Sequence, residues 1–230
     1  MNDDGCITDD CIMFNCGPND LLMVHGSSTG CDHVPTTLFH RHCMISRTGY
    51  SGERGYEIFC KGEDAGRIWD SILENGKAEG IIPCSFDCID MIRVEAALLF
   101  YPYDMTEENT PWEMGLGFTV SKNKRTHYRG KEGLMAAAGN ETVKTYGIVA
   151  DCETAVDIDA EIFLDNKKVG KVTQPMYSTL TEQSLAMVQL NSELAGPSVN
   201  VEPRWAAGSC SAVTHPLPFY DPEKLKRTAK

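Results

Sequence analysis

The sequence predicts an α+β domain over residues 1–140 followed by an all-β barrel or sandwich domain over residues 141–230. Three observations predict this. Up to about Asn140, strand-like and helix-like patterns interleave, the texture of an α+β unit. From Val143 onward six short strand-like runs follow one another (KTYGIVAD, EIFLD, KKVGKVTQ, SLAMVQL, SVNVEP and SAVTHPL), each bounded by turn residues. Between two of them, DNKKVG has the composition of a tight hairpin.

The elements follow in order. Cys6 to Val24 reads as two short strands around the polar turn CGPND, with Asp9 and Asp10 in or beside the first. Gly26 to Pro35, GSSTGCDHVP, reads as a loop. MISRTGY and GYEIFC are predicted strands joined by SGERG. In EDAGRIWDSILENG, the residues Ile68, Trp69, Ile72 and Leu73 share one helical face, and Gly76 is available as the C-terminal cap. A second helix is predicted from Ser85, its N-cap, to Leu99. GLGFTVS reads as a strand, and the second half of residues 125–140 as a helix.

A formal charge of -12 argues against a nucleic-acid surface, because affinity for phosphate backbones rests on clustered Lys and Arg. The longest apolar runs, such as AALLF at Ala96–Phe100, fall short of the roughly 20 residues that span a bilayer. The acidic start MNDDGCITDD lacks the basic and apolar regions of a signal peptide. These features predict a soluble intracellular protein, cytoplasmic or, in a eukaryote, in the mitochondrial matrix. Ten cysteines are scattered without a C-x-x-C pair, so free thiols are expected rather than a disulfide framework. His40, His42 and Cys43 match no familiar ligand spacing, and no metal site is predicted.

Ser46–Phe59, SRTGYSGERGYEIF, carries glycines at 49, 52 and 55 but no Lys-Ser or Lys-Thr pair, so it is a turn rather than a phosphate cradle. Strand alternation puts Glu57 on the same face as Gly55, leaving space above the sheet for a flat ligand. A solvated surface glutamate is the plainer alternative. Adjacent aspartates usually mark a turn, but if the first strand runs through Cys11 to Phe14, either Asp9 or Asp10 points inward and needs a partner or a purpose.

Together these stretches resemble a family. SRTGYSGERGYEIF resembles the signature of the folate-dependent aminomethyltransferase of the glycine cleavage system, the T-protein, and IRVEAALLFYPYDMTEENTPWEMGLGFTV resembles the segment that follows it there. GCITDDCIMF resembles the family's aspartate-bearing strand, and VGKVTQPMYSTLTEQSLAMVQL with LPFYDP resembles its C-terminal barrel. The resemblance implies a transferase that moves an aminomethyl or methyl group to tetrahydrofolate. It assigns folate binding to Glu57, a place in the cavity wall to Tyr50, and the catalytic carboxylate to Asp10. Reduced pterins present two N–H donors side by side, which one carboxylate accepts with both oxygens.

Two departures qualify what the resemblance implies. Glycine-cleavage members usually carry an arginine four residues before the arginine of R-x-E-A, where this chain has Ile89 ahead of Arg93; that points to a relative that demethylates a small molecule, or to altered folate contacts. Between the aspartate strand and the glycine turn the family carries a substantial segment that is missing here, as in a fragment or a reduced paralogue. The implied partners are folate and a small-molecule one-carbon donor, or a lipoyl carrier protein in the glycine-cleavage case. The alternative is a non-catalytic folate-binding or interaction protein.

Overall fold

The computed structural model describes residues 1–8, 11–17, 20–25 and 33–228. The chain divides into two compact units: Cys11–Ile92 with Glu223–Lys230, and Met1–Asp10 with Arg93–Pro222.

In the first unit β1 (Cys11–Gly17) and β2 (Asp20–His25) form an antiparallel pair, with Gly17 opposite Asp20 as the turn composition predicts. A three-stranded antiparallel sheet follows, in the order β3 (His33–Leu38), β4 (Arg41–Ser46), β5 (Glu57–Cys60). β3 overlaps the predicted loop. Val34, Thr36 and Thr37 are β-branched and suit a pleat once β4 supplies the ladder, while Pro35 is tolerated because β3 lies at the end of the strand order. Phe39 and His40, both at positive φ (49° and 64°), make the two-residue turn into β4.

Helix α1 (Gly62–Gly76) buries Ile68, with Trp69 54% exposed on its flank. Gly76 is not its cap. The helix runs through Gly76 into a 3-10 turn at Lys77–Glu79 and ends at Gly80, whose φ of 80° is left-handed. Gly76 instead lets Ile81 pass closely, since a Cβ there would stand 2.6 Å from Ile81 Cγ2. Helix α2 (Phe86–Glu95) starts as predicted, with Cys88 N–H donating to Ser85 Oγ at 3.3 Å. It stops four residues before the predicted end: Ala97 turns left-handed (φ 56°) and Leu98 N–H closes back on Arg93 O at 2.8 Å.

In the second unit, Gly117–Thr119 is a 3-10 turn where GLGFTVS reads as a strand. Local bonds win there: Thr119 N–H and Oγ1–H both donate to Leu116 O, and Gly117 packs so closely on Trp112 that a Cβ would lie 2.7 Å from the ring. Helix α3 (Lys131–Ala137) is short and buries Leu134. Then come β6 (Val143–Ala150), β7 (Glu161–Leu164), β8 (Lys167–Ser178), β9 (Gln183–Asn191), β10 (Asn200–Trp205), the two-residue β11 (Gly208–Ser209) and β12 (Ala212–His215). A single helical turn, α4 (Leu225–Thr228), follows in sequence.

The order β10-β12-β6-β9-β8-β7 closes because β7 also pairs with β10, giving a six-stranded barrel with β11 appended to β10. Asp165 and Asn166, at φ 49° and 62°, form the β7–β8 turn that DNKKVG predicts. Inward residues alternate along the strands: Ile148, Ile162, Val172, Ala186, Val188 and Leu190 fill the core. On β9 the residues of opposite parity, Leu185, Met187 and Gln189, are buried as well, so SLAMVQL is buried on both faces and does not alternate apolar with polar. The 104–114 stretch covers that outer face, where Gln189 Nε2 donates to Asp104 O at 3.0 Å and to Asn109 Oδ1 at 3.2 Å.

The N-terminal residues are fastened to α3 through glycine. Gly5 has φ 82°, and a Cβ on it would lie 2.3 Å from Leu134 N. Gly5→Ala is expected to destabilise the chain by about 2–4 kcal/mol, combining backbone strain with overpacking. Gly139→Ala, at φ 84° with nothing within 4 Å, carries the strain alone and serves as the control. Urea unfolding of both variants checks this, and equal midpoints would refute the packing contribution.

Candidate functional site

The site grows out of the β4–β5 register. Ser46 pairs with Glu57, and opposite residues of an antiparallel ladder share a face. Thr48 lies two residues beyond Ser46, past the end of β4, and its contacts with Ser46 and Glu57 place its hydroxyl on that side. Ser46 is fully buried and Thr48 is 3% exposed, whereas Glu57 is half-buried. The Thr48 hydroxyl donates to Glu57 Oε2 in a very short hydrogen bond and stands 3.0 Å from Ser46 Oγ. A hydroxyl has one proton, and an ionised carboxylate only accepts. With the Thr48 proton on Glu57, the Ser46 proton completes the chain of hydrogen bonds. The buried Thr48 hydroxyl, itself bonded to Ser46, therefore orients one oxygen of the Glu57 carboxylate.

The connection between β4 and β5 is the glycine turn. Gly52 sits at φ 73°, which favours glycine. Gly49 and Gly55 face each other: a Cβ on Gly49 would stand 3.7 Å from Gly55 Cα, and one on Gly55 would stand 3.4 Å from Thr48 O. Gly55 precedes β5, so the expected alternation with Glu57 does not govern it, and its missing side chain points across the turn, where a Cβ would meet Thr48 O and, at 3.8 Å, Gly49 Cα. Tyr50 is half-buried on this turn. Arg54 and Tyr56 sit outside it, exposed, with the guanidinium 3.0 Å from Tyr56 Oη.

Glu57 and Tyr50 thus belong to one turn. Asp10, the expected catalytic residue, and its neighbour Asp9 lie outside the described residues. Sequence reasoning overlooked Ser46 and Thr48, although the alternation in SRTGYSGERGYE carries their signal: 46 and 48 share the face that pairs with 57.

A second polar centre, in the barrel unit, was also overlooked. Arg93 Nη1 donates to Asp104 Oδ2 at 2.6 Å, and both side chains are almost wholly buried. Asp104 Oδ2 also accepts Phe100 N–H at 2.9 Å, while Oδ1 accepts the Thr173 hydroxyl at 2.7 Å. Burial pushes the Asp104 carboxyl up, and Arg93, Thr173 and the Phe100 N–H pull it back. The Arg93 guanidinium also lies over the Phe100 ring, 5.4 Å from its centroid. Two residues further on, Glu95 Oε1 accepts from the buried Ser178 at 2.6 Å. This centre ties the end of α2 and the 98–104 turn to β8.

Among the described residues, no group of three or more His, Cys, Asp or Glu side chains is placed to hold a metal ion. Nor is any described helix long and apolar enough to cross a membrane.

A mixed helix-and-sheet domain followed by a closed six-stranded barrel defines a class of fold, and comparison with known proteins identifies it. Residues 29–124 match the GCVT N-terminal domain, and residues 144–221 match the glycine cleavage T-protein C-terminal barrel domain. The chain belongs to the glycine cleavage T-protein family. It is 39% identical to the heme-dependent oxidative N-demethylase gamma subunit of Ectopseudomonas mendocina, an alignment covering 100% of this chain and 76% of that protein. It is 35% identical to an aminomethyltransferase of Bacillus mycoides over 79% of this chain, spanning only 50% of the length of that relative. The crystal structure of aminomethyltransferase T of the glycine cleavage system from Bartonella henselae superposes with a TM-score of 0.80, covering 96% of this chain and 74% of that one at 15% identity, a likeness of fold. The demethylase-subunit alignment runs over 286 residues against the 230 of this chain, so that relative carries intervening sequence absent here.

Proposed function

We propose that this chain is a tetrahydrofolate-dependent one-carbon transferase, moving an aminomethyl or methyl group from a small-molecule or carrier-bound donor to the folate. The observation that carries the reading is the carboxylate of Glu57, aimed by the buried Thr48 hydroxyl beside a turn that carries no side chain at 49 or 55. A pterin ring suits this place: it is flat, and its adjacent N–H groups match a pre-oriented acceptor. Folate, when bound, supplies the nitrogen that receives the one-carbon unit. Glu57 would hold the pterin edge, Tyr50 would pack against it, and Asp10 would orient the acceptor and take up the proton released there. Residues 1–140 would carry this site and residues 141–230 the barrel. In the glycine-cleavage case the donor is presented on a lipoyl carrier protein. Ile89 in place of the family's arginine supports a methyl donor instead.

Glu57→Gln keeps the shape and removes the charge, and a charge-assisted pair of hydrogen bonds contributes ~1.5–3 kcal/mol, so tetrahydrofolate affinity should fall by roughly tenfold or more. Calorimetric titration of parent and variant checks it; equal affinities would remove Glu57 from the site.

A second reading rests on length: the chain spans half of the aminomethyltransferase it matches. On that reading it binds folate without turnover, as a binding module. Folate titration combined with single-turnover assays on methyl and aminomethyl donors separates the two.

A further inference from the structure

β6 and β12 pair with Val149 opposite Val213 and Ala150 opposite Ala212. The ladder continues past the end of β6, because Asp151 N–H donates to Ser211 O at 2.8 Å. One more step in the same register sets Cys152 opposite Cys210. Alternation puts these two on the face of Ala150 and Ala212, both buried, and the cysteines pack against the same core cluster. Residues opposite each other in an antiparallel pair have Cα atoms roughly 4.5–5.5 Å apart, inside the roughly 4.4–6.8 Å that a disulfide spans. Both are free thiols and half-buried.

We propose that Cys152 and Cys210 are a dithiol site that closes reversibly to a disulfide by exchange with a low-molecular-weight disulfide of the glutathione type. The Cys152 thiolate attacks one sulfur of the small disulfide, whose S–S bond breaks; a mixed disulfide forms and one glutathione thiolate leaves. The Cys210 sulfur, giving up its proton to solvent, then attacks Cys152 Sγ, and the second glutathione leaves as thiolate. Two protein thiols are oxidised and one small disulfide is reduced to two thiols, so the electrons balance.

The order of attack follows from the surroundings. Burial pushes the Cys210 thiol up to about 12, and its hydrogen bond to Cys152 and the charges of Cys152, Asp151 and Glu202 add to this. Cys210 therefore keeps its proton and donates it to Cys152, which makes Cys152 the entering nucleophile. The disulfide would staple the β6–β12 seam of the barrel at its end.

The test uses the full chain, purified under reducing conditions and incubated with oxidised glutathione. Thiol counting after denaturation should show the loss of two of the ten thiols, restored by dithiothreitol. Peptide mapping should locate a Cys152–Cys210 link lighter by about 2 Da than the reduced pair. Cys210→Ser should trap one glutathione on Cys152, and Cys152→Ser should leave Cys210 unmodified. Mapping of the parent stands even where a variant fails to fold. No thiol loss, a stable adduct on Cys210, or a link confined to Cys43 and Cys60, which also face each other across β4 and β5, would overturn the proposal.

Discussion

Asp104→Ala is expected to lower the unfolding free energy of the chain by about 3–5 kcal/mol, the usual cost of leaving one member of a buried ion pair without its partner. The variant removes the buried carboxylate that pairs with the Arg93 guanidinium, 1% exposed, and that accepts the Thr173 hydroxyl and the Phe100 N–H. Desolvation decides the size of the effect. A buried pair gives back little more than the cost of stripping water from both ions, so removing both should be far milder than removing one. The double variant Arg93→Met, Asp104→Leu is therefore expected to recover most of the loss. Urea denaturation of the single and double variants gives the coupling directly. A double variant no more stable than Asp104→Ala would mean that the hydrogen bonds to Thr173 and Phe100, rather than the charge pairing, hold this turn.

Asp10→Asn is expected to reduce turnover by roughly a hundredfold or more, the scale of losing a positioned acid-base group. The proposal places Asp10 where charge changes during the reaction, and contacts of that kind lower kcat more than they alter ground-state affinity. Tetrahydrofolate affinity should accordingly change little, in contrast to Glu57→Gln. Asp9→Asn is the control: the sequence expectation is that only one of the two adjacent aspartates points inward. A loss confined to Asp9→Asn would show that the register assumed for Asp10 is off by one, and equal turnover in the two variants would remove the special role from Asp10.

The sequence discloses turns and faces well because they depend on near neighbours. CGPND and DNKKVG name their hairpins through their turn-forming composition, and the six barrel strands show as short runs bounded by turn residues. The same locality explains the failures. GSSTGCDHVP is loop-like by composition, and only the β4 ladder makes its end a strand. Gly76 looks like a cap until Ile81 is seen to need its missing side chain. GLGFTVS has strand composition, yet bonds within a few residues of Leu116 curl it. In the candidate site, Glu57 and its turn are visible in one motif, and Ser46 and Thr48 could be found there by counting alternate positions. Arg93 and Asp104 could not, because their partners Thr173 and Gln189 arrive from β8 and β9, some seventy residues or more along the chain.

The additional pairing of β7 with β10 has a consequence for how the barrel comes apart. An open sheet frays from its outer strands, each held by one ladder. In a closed ring every strand is held on both sides, so releasing any one of them breaks two ladders at once and opens the core around Ile162 and Val188 to water. Amide hydrogen exchange in β6, β8, β9 and β12 should then proceed through a shared opening, with similar protection around the ring rather than a gradient from one side.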